Sequence, residues 1–154
     1  MAGKPKLLAI ASGGGHWVQL LRLRPAFADY DVVFVSMLES YAEQVGQARF
    51  HLVPDASRFD LKGFAPVFLK ALRIILKERP AAIVTTGSAP MLAFLMLGRA
   101  FGIRTLWIDS IANSERMSSS GRIARKIAHR CISQWPEVAR ADGVGDWGKV
   151  ISSS

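Results

Sequence analysis

The sequence predicts an α/β domain built on a doubly wound, Rossmann-like parallel sheet. Two observations carry that expectation. Short apolar runs alternate with longer stretches of helical periodicity along most of the chain. Several of those runs are apolar at consecutive positions, as strands covered on both faces must be, so the sheet is expected to be parallel.

Lys6 to Ala11 is the first such run and leads into glycines, hence a buried strand. His16 to Phe27 places Trp17, Leu20, Leu21 and Leu23 at helical spacing, interrupted near Pro25. Asp31 to Ser36 is a β-branched strand, followed by a short helix near Tyr41 to Gln47 and a third strand from Arg49 to Val53. Gly63 to Arg79 forms a strong helix stopped by Pro80. Ala82 to Thr86 is a strand, Ala89 to Phe101 a helix and Arg104 to Ile108 a strand. Gly121 to Arg130 reads as a helix, and Cys131 to Ser133 as the last strand. The division is therefore one domain over residues 1–137 and a tail over 138–154.

At 154 residues the chain is long enough for one hydrophobic core and too short for two ordinary domains. The net charge of +8 favours an anionic partner: nucleic acid, a phosphorylated substrate or an acidic membrane. One cysteine, Cys131, excludes an intrachain disulfide framework and suits a reducing cytoplasm. Its apolar setting marks it as a small buried hydrophobe rather than a nucleophile. The apolar run after Lys4 is too short for a signal peptide, and Ala89 to Gly98, the nearest approach to a membrane span, stops at Arg99. A soluble or peripheral protein facing the cytoplasm is expected, with no cofactor and no metal site.

In doubly wound folds ligands bind at the carboxyl ends of the strands, which singles out three loops. Ser12-Gly13-Gly14-Gly15-His16 follows the first strand and opens a helix. Its glycines let a ligand approach the backbone, and a helix N-terminus suits phosphate. It matches neither the dinucleotide fingerprint, since Val18 stands at the third glycine position, nor a Walker loop. Phosphate contact and a plain tight turn both fit it. The second loop, Thr85-Thr86-Gly87-Ser88-Ala89-Pro90, offers Gly87 and Ser88 to a ligand, or Ser88 as a simple N-cap. The third runs from Asp109 and Ser110 to Glu115, where the carboxylates serve as acid or base, bind hydroxyls or cap the next helix.

The helix from Gly63 to Arg79 carries a different signal. Lys62, Lys70, Arg73 and Lys77 fall within about 80° of one another on a helical wheel. Phe64, Val67, Phe68 and Leu72 are among the apolar residues on the remainder. This suits an interfacial helix against anionic lipid, with Phe64 and Phe68 inserted, or against another subunit. A core helix with a solvated basic edge fits equally.

In order, these pieces resemble the asparagine-linked glycosylation 14 family and its bacterial exopolysaccharide relatives of the PssD/EpsE type. The resemblance rests on Ser12 to His16, Thr85 to Pro90, Trp107-Ile108-Asp109-Ser110 through Ser118-Ser119-Ser120-Gly121-Arg122, and Ile132-Ser133-Gln134-Trp135-Pro136-Glu137. It covers roughly Lys6 to Glu137, and much of it is also similar to the N-terminal half of MurG-type transferases.

The resemblance implies one half of a split, inverting GT-B glycosyltransferase, working on the cytoplasmic face of the inner membrane. The chain would face a polyprenyl-diphosphate-linked acceptor and recruit the complex to the membrane. A separate donor subunit, of the asparagine-linked glycosylation 13 or PssE type, would bind the UDP-sugar, with N-acetylglucosamine or glucuronate as the sugar. His16 is then either the base that deprotonates the acceptor or a diphosphate contact. The family's eukaryotic members begin with a membrane span and this sequence shows none, so attachment is expected to be peripheral or through the partner. The family also often has Glu-Ser where Asp109-Ser110 stands. The tail, with Trp147, Val150 and Ile151, is expected to contact the donor subunit. A non-catalytic membrane scaffold is the alternative. A nucleic-acid binder is disfavoured, because the basic residues lie among aliphatic rather than stacking side chains.

Overall fold

The computed structural model describes residues 3–54 and 61–149. Seven parallel strands form one sheet in the order β3-β2-β1-β4-β5-β6-β7. They are β1 Lys6–Ile10, β2 Asp31–Ser36, β3 Arg49–Leu52, β4 Ala82–Thr85, β5 Arg104–Ile108, β6 Arg130–Ser133 and β7 Gly145–Asp146. The helices are α1 Gly15–Arg22, α2 Leu61–Glu78, α3 Leu92–Ala100, α4 Ser119–Ile127 and α5 Pro136–Asp142. Short 3-10 segments at Arg24–Phe27, Glu39–Val45 and Ala89–Met91 complete the connections.

The alternation of side chains along each strand sorts the core into two layers. Leu8, Ile10, Val33, Val35, Ile83 and Trp107 point to the face covered by α2, α3 and α4. Leu7, Ala9, Phe34, Val84, Ile108 and Ile132 point to the opposite face, where Trp17 and Leu20 of α1 pack. Beyond α1, over β4, β5 and β6, that second face opens into a groove of about 900 Å³. Val84, Leu106, Ile108 and Ile132 form its floor, with Phe27 on one side and Trp147 and Lys149 on the other.

At the amino ends of the strands, Glu78 closes α2 with its side chain only 2% exposed. Arg49 Nη2 lies 3.0 Å from Oε2, Lys6 Nζ 3.6 Å from the same oxygen and His51 Nε2 3.3 Å from Oε1. Oε2 makes no well-directed hydrogen bond, so its compensation is ionic. The cluster ties α2 to β1 and β3.

Strands and helices stand where the periodicity puts them, to within a few residues, with one exception. Past Ser133 the structure continues through α5 and β7, and β7 pairs with Ile132 and Ser133. Pro136 therefore starts a helix, because at its first turn the missing N–H costs nothing, and Gly143 ends it in the left-handed conformation. The boundary drawn at residue 137 falls inside α5, and the sheet extends past it.

Candidate active site

The strand order reverses between β1 and β4, and a doubly wound sheet opens its ligand crevice at that point. The loops after these two strands meet there. Ser12 N–H donates to the Gly87 carbonyl at 3.3 Å. His16, in the first turn of α1, has Nδ1 2.9 Å from the Thr86 carbonyl oxygen, and Thr86 Oγ1 donates to the His16 carbonyl at 2.6 Å. Gly87 has φ +119°, and a Cβ there would stand 2.7 Å from His16 Nδ1. Glycine is thus required twice, for the backbone angle and for the ring's approach.

Gly14 caps α1 without any side-chain hydrogen bond to the helix's first N–H groups. Those groups and the helix dipole face the crevice mouth, an arrangement suited to an anion. Gly14 N–H itself donates to the Tyr41 hydroxyl at 3.0 Å. Tyr41 stacks on Trp17 with centroids 4.7 Å apart, which fixes the outer wall of the glycine loop. Gly13 lies under that hydroxyl, so Gly13, Gly14, Gly15, His16, Gly87 and Ser88 form one constellation. Ser88 makes no capping bond to the segment that follows it.

The third loop behaves differently. Asp109 is 2% exposed. Its Oδ1 accepts from Trp107 Nε1 at 3.0 Å and Ser118 Oγ at 2.7 Å, and its Oδ2 from Asn113 Nδ2 and Ser118 N–H, both at 3.0 Å. With four donors around it, this carboxylate points into the protein and shapes the loop. Ser110 accepts from Gln19 Nε2 at 3.1 Å, and Glu115 is exposed on the same loop.

Gln19 and Gln134 are the organisers that motif reading passes over. Gln134 Nε2 donates to Gln19 Oε1 at 2.8 Å and to the Asp109 carbonyl at 2.9 Å, while Gln19 Oε1 also accepts from Ile111 N–H at 3.1 Å. Trp135 Nε1 donates to the Ile111 carbonyl at 2.7 Å. The available signal was a polar Gln19 among the apolar positions of α1. Among the described residues no group of His, Cys, Asp and Glu is arranged to hold a metal ion. Cys131 lies away from this chemistry, and burial, reinforced by Asp109, pushes its thiol up to about 12.

On α2, Lys62, Arg73 and Lys77 are exposed and Lys70 is half-buried. Phe64 and Phe68 pack against the core instead of facing outward, their rings 6.4 Å apart. The exposed apolar residues are Leu69 and Leu76, at 57% and 54%, with Met96 and Phe101 beside α2 on and after α3. Across α2, α3 and α4 the single carboxylate is Glu78, which is buried. No helix among the described residues is long and apolar enough to cross a membrane. Trp147 is 64% exposed, Lys149 Nζ sits 4.1 Å from the Trp135 ring centroid, and Val150 and Ile151 lie outside the described residues.

No family model matches the chain. Among curated proteins it is similar to the UDP-N-acetylglucosamine transferase subunit ALG14 of Yarrowia lipolytica, with 24% identity over 88% of this chain and 76% of that protein. Among solved structures it is similar to Acinetobacter baumannii MurG, with TM-score 0.72, 12% identity and coverage of 87% of this chain and 42% of the other. UDP-N-acetylglucosamine 2-epimerase from Rickettsia bellii gives TM-score 0.73, 16% identity and coverage of 96% and 45%. The S. aureus MnaA–UDP co-structure gives TM-score 0.74, 10% identity and coverage of 95% and 44%. The chain spans less than half the length of these solved proteins. Over most of its length the chain is thus similar in sequence to ALG14, and its Rossmann-like fold is that of a single GT-B half-domain.

Proposed function

We propose that the chain is the acceptor-side, membrane-recruiting subunit of a split inverting glycosyltransferase. The observation that carries the reading is His16 held at the crevice beside a helix N-terminus that no side chain caps. In the proposed reaction the acceptor oxygen forms a bond to the anomeric carbon of a UDP-sugar. The bond from that carbon to the UDP phosphate oxygen breaks, the electron pair leaves with UDP, and His16 Nε2 takes the acceptor's proton. The N–H groups at the start of α1 bind diphosphate. The relative's printed name supports N-acetylglucosamine as the sugar, and the acceptor is a polyprenyl-diphosphate-linked saccharide.

The relative is named as a transferase subunit, which supports assigning the donor site to a second subunit. The groove over β4 to β6 and the exposed Trp147 beside it are the docking surface assigned to that subunit. The α2–α3–α4 face, with outward charges that are all cationic and Leu69, Leu76 and Met96 between them, is assigned to an anionic bilayer on the cytoplasmic side.

The test reconstitutes transfer with the donor subunit. Wild-type chain supports transfer, whereas His16→Ala reduces it at least a hundredfold without changing complex formation. Alone, the chain shows no transfer and little UDP-sugar affinity, so micromolar binding in titration calorimetry overturns the division of labour. The withdrawal of Asp109 favours the alternative, a non-catalytic scaffold. Near-normal transfer with His16→Ala would establish it.

A further inference from the structure

The His16 ring is held by the backbone in a way that decides which nitrogen carries its proton. A carbonyl oxygen accepts and never donates, so the 2.9 Å contact with the Thr86 carbonyl requires hydrogen on Nδ1. A neutral imidazole has one N–H, and the lone pair therefore sits on Nε2. Histidine in water prefers the opposite tautomer. We infer that Thr86 and Gly87 are positioning residues that lock His16 in the Nδ1–H tautomer, leaving Nε2 as its proton-accepting atom. The use of that atom in transfer rests on the proposed function; the lock itself does not.

Three features build the lock. The Thr86 carbonyl supplies the acceptor. The Thr86 hydroxyl bonds back to the His16 carbonyl at 2.6 Å, so strand end and helix start hold each other by two bonds across 70 residues of chain. Gly87 leaves the space that the ring occupies, since a Cβ there would lie 2.7 Å from Nδ1 and 2.8 Å from Cε1. His129 provides an internal contrast. Its Nδ1 accepts the Thr105 backbone N–H at 3.2 Å, which leaves the hydrogen on Nε2. Two histidines of one chain are thus set in opposite tautomers by opposite backbone groups.

The experiment uses the full chain labelled with nitrogen-15 in histidine. Long-range proton–nitrogen spectra are recorded along an alkaline pH series, at values where the imidazole signals no longer change with pH. His16→Gln identifies the His16 signals by their loss. The expected result is an Nδ1–H pattern for His16 and an Nε2–H pattern for His129. An Nε2–H pattern or a solvent-like mixture for wild-type His16 overturns the lock, whatever the protein's activity. Gly87→Ala is expected to shift His16 to the mixture and leave His129 unchanged. Thr86→Val, which keeps the carbonyl and removes only the hydroxyl tie, serves where the alanine variant fails to fold. A His16 pattern unmoved by a folded variant also counts against the lock. In the reconstituted complex both variants lower kcat more than KM changes. A correct tautomer in wild type together with full transfer by His16→Gln retains the lock and removes the base role, so the two ideas fail separately.

Discussion

Ser118 donates to Asp109 twice, from its hydroxyl to Oδ1 at 2.7 Å and from its backbone N–H to Oδ2 at 3.0 Å. The same hydroxyl accepts Gly121 N–H at 2.9 Å as the N-cap of α4. One serine therefore joins the end of β5 to the start of the next helix, and Asp109 is the fixed point between them. Replacement by Asn turns one acceptor into a donor facing other donors. Asp109→Asn is expected to destabilise the domain by about 1–3 kcal/mol. Chemical denaturation measures this, and an unchanged midpoint would deny Asp109 its role as the hub.

Membrane attachment is expected to depend on charge and on exposed leucines, not on Phe64 and Phe68. Each basic residue near an anionic surface contributes about 1 kcal/mol, screened by salt. Arg73→Glu with Lys77→Glu should release the chain from anionic liposomes, and Leu69→Ser should weaken flotation without unfolding. Flotation unaffected by either change would make α2 a core helix with a solvated edge.

Trp147 borders the groove over β4 to β6 and is largely exposed. Because β7 belongs to the sheet, a truncation from Gly145 would remove a strand along with the tail. A point change is cleaner. Trp147→Ala is expected to leave the unfolding transition in place and to abolish co-purification with the donor subunit. Retained co-purification assigns the docking surface elsewhere.

Cys131 is expected to resist thiol reagents at pH 8 in the native protein and to react at once after denaturation. Burial chiefly holds its thiol protonated, raising it from 9.0 to about 12. The unfolded chain loses that proton from about pH 9 upward while the folded chain keeps it, so unfolding releases a proton in that range. Stability should fall as pH rises from 9 towards 12, and Cys131→Ala should lessen the slope. Rapid native labelling at pH 8 would contradict the assignment.

Local signals in the sequence define the first six strands, the helices between them and the loops that meet at the crevice. Apolar runs such as Leu7 to Ala11 and the periodicity of α2 are local signals, and local signals survive without a partner. Glycines before a helix and Pro90 at a first turn are equally local. What tertiary structure alone decided was direction and pairing. Phe64 and Phe68 lie on an α2 apolar surface wide enough for two neighbours, and only packing against the sheet chose which part turned inward. Asp109 reads as a free carboxylate until Trp107, Asn113 and Ser118 close around it. The two-residue strand β7 has no periodicity of its own and exists because β6 offers it a ladder. Gln19 and Gln134 meet across 115 residues, and the Thr86 carbonyl that sets the His16 proton is a backbone atom present in every residue. No residue type announces such contacts, since their energy arises only when the fold brings the two chain segments together.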